Sequence, residues 1–572
     1  MVSSKTKKLA LSCVLALLPV MAACSNNGDK QATNSGTTAP TSTASASTPE
    51  ETGNTNGKFD PPVTVTTVRG FDAASMLYDD ETMDKNAIYD AYEKDFGIKI
   101  KNNWAVDAKE YNSKLKISIA SNDLPDFFKV AAEDLPQLVD SDMVMDLSEA
   151  YEKYASEATK KLLNADGGKQ MKSATFGGKL MAIPRTNSPF NGAGFVWLRK
   201  DWLKEMNLPE PKTMQDLLTI SKAFATRDSG GKGKVFGLGL TKDIMEDATG
   251  FFSGFLNGYH AYPSQWVKDS SGKLVYGSIQ PEMKTALKQL QDMYKAGELD
   301  PEAAVNRTDK MLEEVANDRL GMLYGAFWYS AALQEAVVKD GKVTQDWGVY
   351  TIPSIDGSPA LTQISAGVNE YYVINKNAKN PDAIFKLLNQ WVDVLTSGKA
   401  GEGEPNAVYA NGKALKDVGK VSSWDVNPIT VFIQDLYLQG GQKITKALQT
   451  NDPSEIAWSG DLLNRYNQVK QFEAGDTTVW YQMGIAGKDG TFTRMNEYFE
   501  QNRYHFNEFY GAATPTMGER GDLLKTKEQE TFTRIVLGSA SIDEFDKFVA
   551  EWKKLGGDKI TEEVNEWYAK VN

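Results

Sequence analysis

The chain has 572 residues, enough for two or more domains, and 41% of them are hydrophobic, so a large core is within reach. Its formal net charge of −13 works against binding nucleic acid or an anionic lipid surface. It also works against a strongly anionic ligand, unless a local basic pocket overrides the total.

In chain order, Lys5, Lys7 and Lys8 precede an apolar run from Leu9 to Ala23. A basic start, a short hydrophobic middle and small closing residues are the layout of a secretory signal peptide, here residues 1–23. The run is short for a bilayer span, and no later run is long enough for one. Cys13 leaves with the signal and Cys24 is the other cysteine, so the mature chain has no intramolecular disulfide. Residues 24–60 are rich in Ser, Thr, Asn, Gly, Ala and Pro, and Phe59 is their one aromatic. Such a segment cannot bury enough apolar area to order itself and reads as a disordered tether, spanning roughly 30–35 Å.

The folded part starts near Pro61. Val63–Val68 is β-prone. Ala87–Phe96 carries helical spacing and ends at Gly97, and Ile98–Lys101 alternates like a strand. This βαβ order predicts a parallel sheet and an α/β fold. Glu110–Ala120 is helical, with Tyr111, Leu115 and Ile119 on one face. Asn380-Pro381-Asp382 opens a helix with a cap, which places Ile384, Leu387, Leu388, Trp391 and Val392 together. Ser541 and Glu544 have capping-box spacing before the stripe Phe545, Phe548, Val549 and Trp552, and Gly556-Gly557 stops that helix. Thr561 opens a last helix, with Val564, Trp567, Tyr568 and Val571 inward.

The two histidines, His260 and His505, form no HExxH, and no Gly-x-Ser-x-Gly, Walker A or GxGxxG motif occurs. Among 76 acidic residues, none is marked by sequence as a catalytic pair. Aromatics are 10% of the chain, and several lie in polar or Gly-containing surroundings: Trp104, Phe251-Phe252, Tyr259, Trp266, Phe327-Trp328-Tyr329 and Tyr371-Tyr372. Exposed rings beside Asp, Asn and Arg suit a sugar cleft, because a pyranose stacks its C–H face on a ring while its hydroxyls take hydrogen bonds. Each ring has the alternative of a packing role.

Several stretches taken in order carry a family likeness: Leu115–Phe128, Gly177–Pro184, Leu198–Leu203 with Leu208–Leu217, Gly367–Asn375, and the tail from Gly511. In front of them, Met21-Ala22-Ala23-Cys24 resembles a bacterial lipobox. The chain resembles the extracellular solute-binding lipoproteins of bacterial ABC importers, family 1 carbohydrate-binding type, and in particular the LplA/YtcQ-like lipoproteins of Gram-positive bacteria. The resemblance implies a lipid on Cys24, against the alternative of an ordinary cleaved signal, and attachment to the extracellular face of the cell membrane.

It further implies a two-lobe, periplasmic-binding-protein-like fold (type II) with an interlobe ligand cleft. The N-terminal lobe is expected over 61–184 plus about 366–430, and the C-terminal lobe over 185–365 plus about 431–572. Carried over, the ligand residues are Asp126, Phe127, Arg185, Asn187, Trp328, Tyr329, Asn369 and Tyr371. Asp126 has the alternative of a cap or turn, and Arg185 that of an interlobe salt bridge. Members of the family often carry a calcium loop. Here Ala223–Gly237 keeps Asp228 but has Gly230, Lys232 and Phe236 where oxygen ligands are needed, so the loop is expected to be degenerate and to hold no metal. The implied function is capture of a carbohydrate, an oligosaccharide, by a monomer. It needs no cofactor and delivers its ligand to the permease subunits of an ABC transporter. Rival readings are a cell-surface glycoside hydrolase or lyase, and a peptide-binding or sensor protein of the same fold.

Overall fold

The computed structural model describes residues 57–71, 80–186, 188–242, 253–303, 305–364, 368–400, 403–412, 423–457 and 459–571. The strands that position the site are β1 (Val63–Phe71), β2 (Ile98–Asp107), β3 (Phe127–Ala131), β4 (Ile183–Pro184), β5 (Phe195–Arg199), β6 (Met322–Gly325), β7 (Trp347–Tyr350) and β8 (Glu370–Ile374).

β1 and β2 run parallel, from Val63 opposite Ile98 to Phe71 opposite Asp107, with a register shift at Thr67/Val68. The helix between them, α1 (Ala87–Phe96), is capped by the Asn86 side chain, which accepts from the Tyr89 amide. It is stopped by Gly97 at φ 66°, a left-handed turn that glycine adopts without strain. α1 buries Ile88, Tyr89, Ala91 and Tyr92. β2 alternates Ile98, Ile100 and Asn102 inward, and α2 (Ala108–Ala120) follows directly.

The sheet that follows is antiparallel, although Thr362–Ile364 later pairs parallel with Tyr504–Phe506. In the next sheet β8 is the centre strand, antiparallel to β3 (Ile374 opposite Phe127) and to β4 (Tyr372 opposite Ile183). β8 therefore enters from a distant part of the chain and joins two strands laid down much earlier. Asn380 stands before α3 (Pro381–Thr396), but its side chain makes no capping bond. The buried face of α3 holds Ile384, Leu387, Leu388, Trp391 and Val392, and the Trp391 indole donates to the Val431 carbonyl at 2.9 Å. One hydrophobic cluster joins all of this, from Val65 to Ile183 and again from Val368 to Val431.

A further three-stranded sheet has the order β6–β5–β7, antiparallel throughout. Both faces of its centre strand are covered. Val196 and Leu198 enter one cluster with Trp202, Tyr324, Phe532 and Trp552, while Phe195 and Trp197 enter another with Leu323, Tyr329, Trp480 and Tyr498. Alternation along a strand sends successive residues to opposite faces, so β5 reads as a continuous apolar run.

The chain closes with α4 (Pro515–Val536), α5 (Glu544–Trp552) and α6 (Asp558–Val571). No capping box forms at Ser541/Glu544. The Ser541 hydroxyl accepts instead from the Asp543 amide at 3.3 Å, and α5 starts without a side-chain cap. Gly556, at φ 134°, breaks the helix, and α6 begins at Asp558, three residues earlier than expected.

Candidate functional site

A recess opens at the carboxyl end of β1. It is lined by Thr67–Gly70, Tyr111 of α2, Lys129 of β3, Arg185 just after β4, Tyr372 of β8, and Trp424, Asp425, Pro428 and Thr430. In open α/β sheets ligands bind outside the carboxyl ends of the strands.

Its polar groups are tied to one another. Arg69 donates to the carbonyls of Asn427 (2.8 Å) and Asp425. Lys129 and Arg185 share the Glu370 carboxylate, at 2.5 and 2.8 Å. The Arg185 Nε donates to Thr430 Oγ1 at 3.4 Å, and the Thr430 amide donates to the Tyr372 hydroxyl at 3.1 Å. The Tyr111 hydroxyl donates to the Lys129 carbonyl at 2.8 Å, and burial raises its pKa. The Arg185 guanidinium lies 4.8 Å over the Phe432 ring, and Phe432 stacks on Trp424 at 4.6 Å and 9°. A cation and two aromatic planes thus lie in register beside the recess.

Two chain passages meet at this edge. Thr186 Oγ1 donates to the Phe432 carbonyl at 2.7 Å and accepts from its amide at 2.8 Å, and Ser188 Oγ donates to the Ile433 carbonyl. These passages carry the chain between the first cluster and the other two. A larger groove of about 560 Å³ lies along β7, among Trp347, Phe472, Trp480 and Met483, but no residue of either passage lines it.

Of the eight residues expected from the family likeness, Arg185 alone among the described ones lines the recess. Asp126 is structural: its carboxylate accepts from the Thr66 amide (2.7 Å) and hydroxyl (2.8 Å), pinning β1 to β3. Phe127, Tyr329 and Tyr371 are fully buried in the hydrophobic clusters, so they offer no face to a ligand. The Tyr371 hydroxyl is paired with Ser173 Oγ at 2.7 Å. Trp328 is 37% exposed and lies in the segment before the 329–337 helix, away from the recess lining. Asn369 is exposed, and its carbonyl accepts from the Ala132 amide. Asn187 lies outside the described residues, as do Cys24, the signal segment, residues 24–56 of the tether, and Phe251-Phe252.

The other aromatics singled out from sequence are mostly core: Tyr259, Trp266 and Phe327 are buried. Tyr372, singled out with Tyr371, does line the recess, whereas Arg69, Lys129 and Trp424 were missed. Arg69 could have been found, because it follows the β-prone run Val63–Val68 at the strand end that favours ligands.

The loop at Asp228 is closed on itself, with the carboxylate accepting from the Gly230 amide at 2.9 Å. Among the described residues, no cluster of three or more His, Cys, Asp or Glu could hold a metal, and no helix is long and apolar enough to cross a membrane.

Residues 76–400 match the family model of the bacterial extracellular solute-binding proteins, more than half of the chain. The chain belongs to that family. Lipoprotein LipO of Bacillus subtilis is 22% identical to this solute-binding protein over 502 residues, covering 86% of this chain and 91% of LipO. The polygalacturonan/rhamnogalacturonan-binding protein YtcQ of the same organism is 24% identical, covering 69% and 71%. Among solved structures, the ABC-transporter substrate-binding protein FusA of S. pneumoniae, in complex with kestose, superposes with a TM-score of 0.57 at 15% identity, covering 89% of this chain and 99% of FusA. The solute-binding protein has the two-lobe α/β fold of these neighbours.

Proposed function

We propose that this chain is a lipid-anchored extracellular binding protein that captures an oligosaccharide and presents it to the permease subunits of an ABC importer. Membership of the solute-binding family supports capture of a solute. The observation that carries the carbohydrate reading is the stack of Arg185, Phe432 and Trp424 beside a polar recess at the strand ends, next to the meeting passages. Rings and hydrogen-bond donors in one place suit a pyranose. The related YtcQ and FusA, whose names carry saccharide ligands, point the same way.

The lobes are 61–184 with about 366–430, and 185–365 with about 431–572. Ligand touching both lobes favours the closed state, and no bond is made or broken. The protein works as a monomer held to the extracellular face of the membrane through Cys24.

A thermal-shift screen against neutral and acidic oligosaccharides, with peptides as controls, tests this. A ligand that binds only the folded state stabilises it by about 2.7 kcal/mol at a hundredfold excess over its Kd. A shift with one glycan family, recovered uncut, is the expected result. A shift with peptides alone, or with a cleaved glycan, overturns it.

A further inference from the structure

The chain as a whole is strongly acidic, yet three of its cations, Arg69, Lys129 and Arg185, line one small recess. We propose that this recess is a carboxylate subsite, and that the oligosaccharide it serves is acidic, built from uronic acid units. This rests on the carbohydrate reading above.

Three observations carry it. The first is charge. Glu370 is a single carboxylate divided between Lys129 and Arg185, and Arg69 is held by two backbone carbonyls. Carbonyls fix a guanidinium without neutralising it. Among the described residues, the three cations meet one ion-paired carboxylate, Glu370, and even with Asp425 of the lining counted the balance stays positive. The second is size. The recess is about 60 Å³, well below the roughly 300 Å³ of a pocket that encloses a small ligand. A sugar ring lies across its mouth and only a substituent enters. The third is rigidity. Arg185 is fixed by Glu370, Thr430 and the Phe432 ring, and Lys129 sits on the pinned strand β3. Pre-set cations bind an anion without first being ordered. A neutral sugar would leave the surplus positive charge unanswered, whereas a carboxylate there competes with Glu370 for Arg185 and Lys129 and meets Arg69, which has only carbonyl partners.

The test is calorimetric titration of the purified protein with trigalacturonate, its methyl ester, a sulfated oligosaccharide, and neutral malto- and fructo-oligosaccharides. It is repeated with Arg69→Gln, Lys129→Gln and Glu370→Gln, each first checked for an unchanged thermal transition. Trigalacturonate should bind and weaken as salt is raised, and its methyl ester should lose roughly tenfold or more. Arg69→Gln and Lys129→Gln should each weaken it by a similar factor. Glu370→Gln should bind it more tightly, because the competing carboxylate is gone while an acceptor for Arg185 remains. That gain is a result structural damage does not give. Equal binding of acid and ester, or binding of neutral or sulfated sugars alone, overturns the carboxylate subsite and leaves the carbohydrate function standing. Failure of every saccharide overturns both.

Discussion

Single carboxylates do quite different work in this molecule. Asp126 takes two hydrogen bonds from Thr66 across sixty residues of chain, and its own amide donates to the Thr66 hydroxyl at 2.8 Å. Hydrogen bonds to a charged group contribute about 1.5–3 kcal/mol each. Asp126→Ala should therefore destabilise the protein by about 3 kcal/mol, read by denaturant unfolding, with ligand affinity unchanged at temperatures where it is folded. Glu528 is the opposite case. It is 2% exposed, the Tyr276 hydroxyl donates to it at 3.1 Å, and burial pushes its carboxyl up to about 7. The folded state then holds the proton between about pH 4.5 and 7 while the unfolded chain releases it. Stability from this group is present below pH 4.5 and is lost as pH rises through 7. Glu528→Gln keeps an acceptor for Tyr276 and carries no charge. It should gain stability on the order of 3 kcal/mol at pH 8 and little at pH 4, seen as a melting difference that shrinks on acidification.

At the level of strands and helices, local signals read directly from the chain where one element meets one side of the core. The run Val63–Val68, the helix ended by Gly97 and the alternating Ile98–Lys101 all formed as expected, because caps and periodicity are local properties. The site was harder to read for a reason of parity. β8 is covered on both faces, so Tyr371 points to Ser173 while its neighbour Tyr372 lines the recess. A single-residue shift along a strand exchanges its faces, and nothing in Tyr-Tyr says which ring goes where. Lys129 and Trp424 were invisible for a different reason, since Lys129 meets Arg185 only through the distant Glu370, and Trp424 comes from a segment far along the chain. The passages at Thr186 and Phe432 belong to the same class. Thr186→Val keeps the shape and removes both bonds to Phe432. It should cost about 2 kcal/mol in thermal unfolding and shift the closure equilibrium, measured as a change in ligand affinity without loss of any recess group.

The described body has the two-lobe fold, and the proposed reading sets an export signal and a tether in front of it. If Cys24 carries the lipid, Cys24→Ala should move the protein from the membrane fraction to the medium, with binding of its saccharide intact; retention at the membrane would refute the anchor. The body's net negative charge made an acidic ligand look unfavourable from composition. A total says little about one recess, where Arg69 near the end of β1, Lys129 in the middle of β3 and Arg185 just after β4 come together.

The order of the β3–β8–β4 sheet has a consequence for biogenesis. Its centre strand, β8, is made after both of its edge partners, with the entire β5–β7 sheet synthesised in between. Until Ile374 leaves the ribosome, β3 and β4 have no strand to pair with, and the first cluster still lacks Trp391 and Val431. A chain that must be threaded through a membrane before it folds is served by such a layout. Its first core closes only late in synthesis, which lengthens the interval in which export machinery can engage the chain.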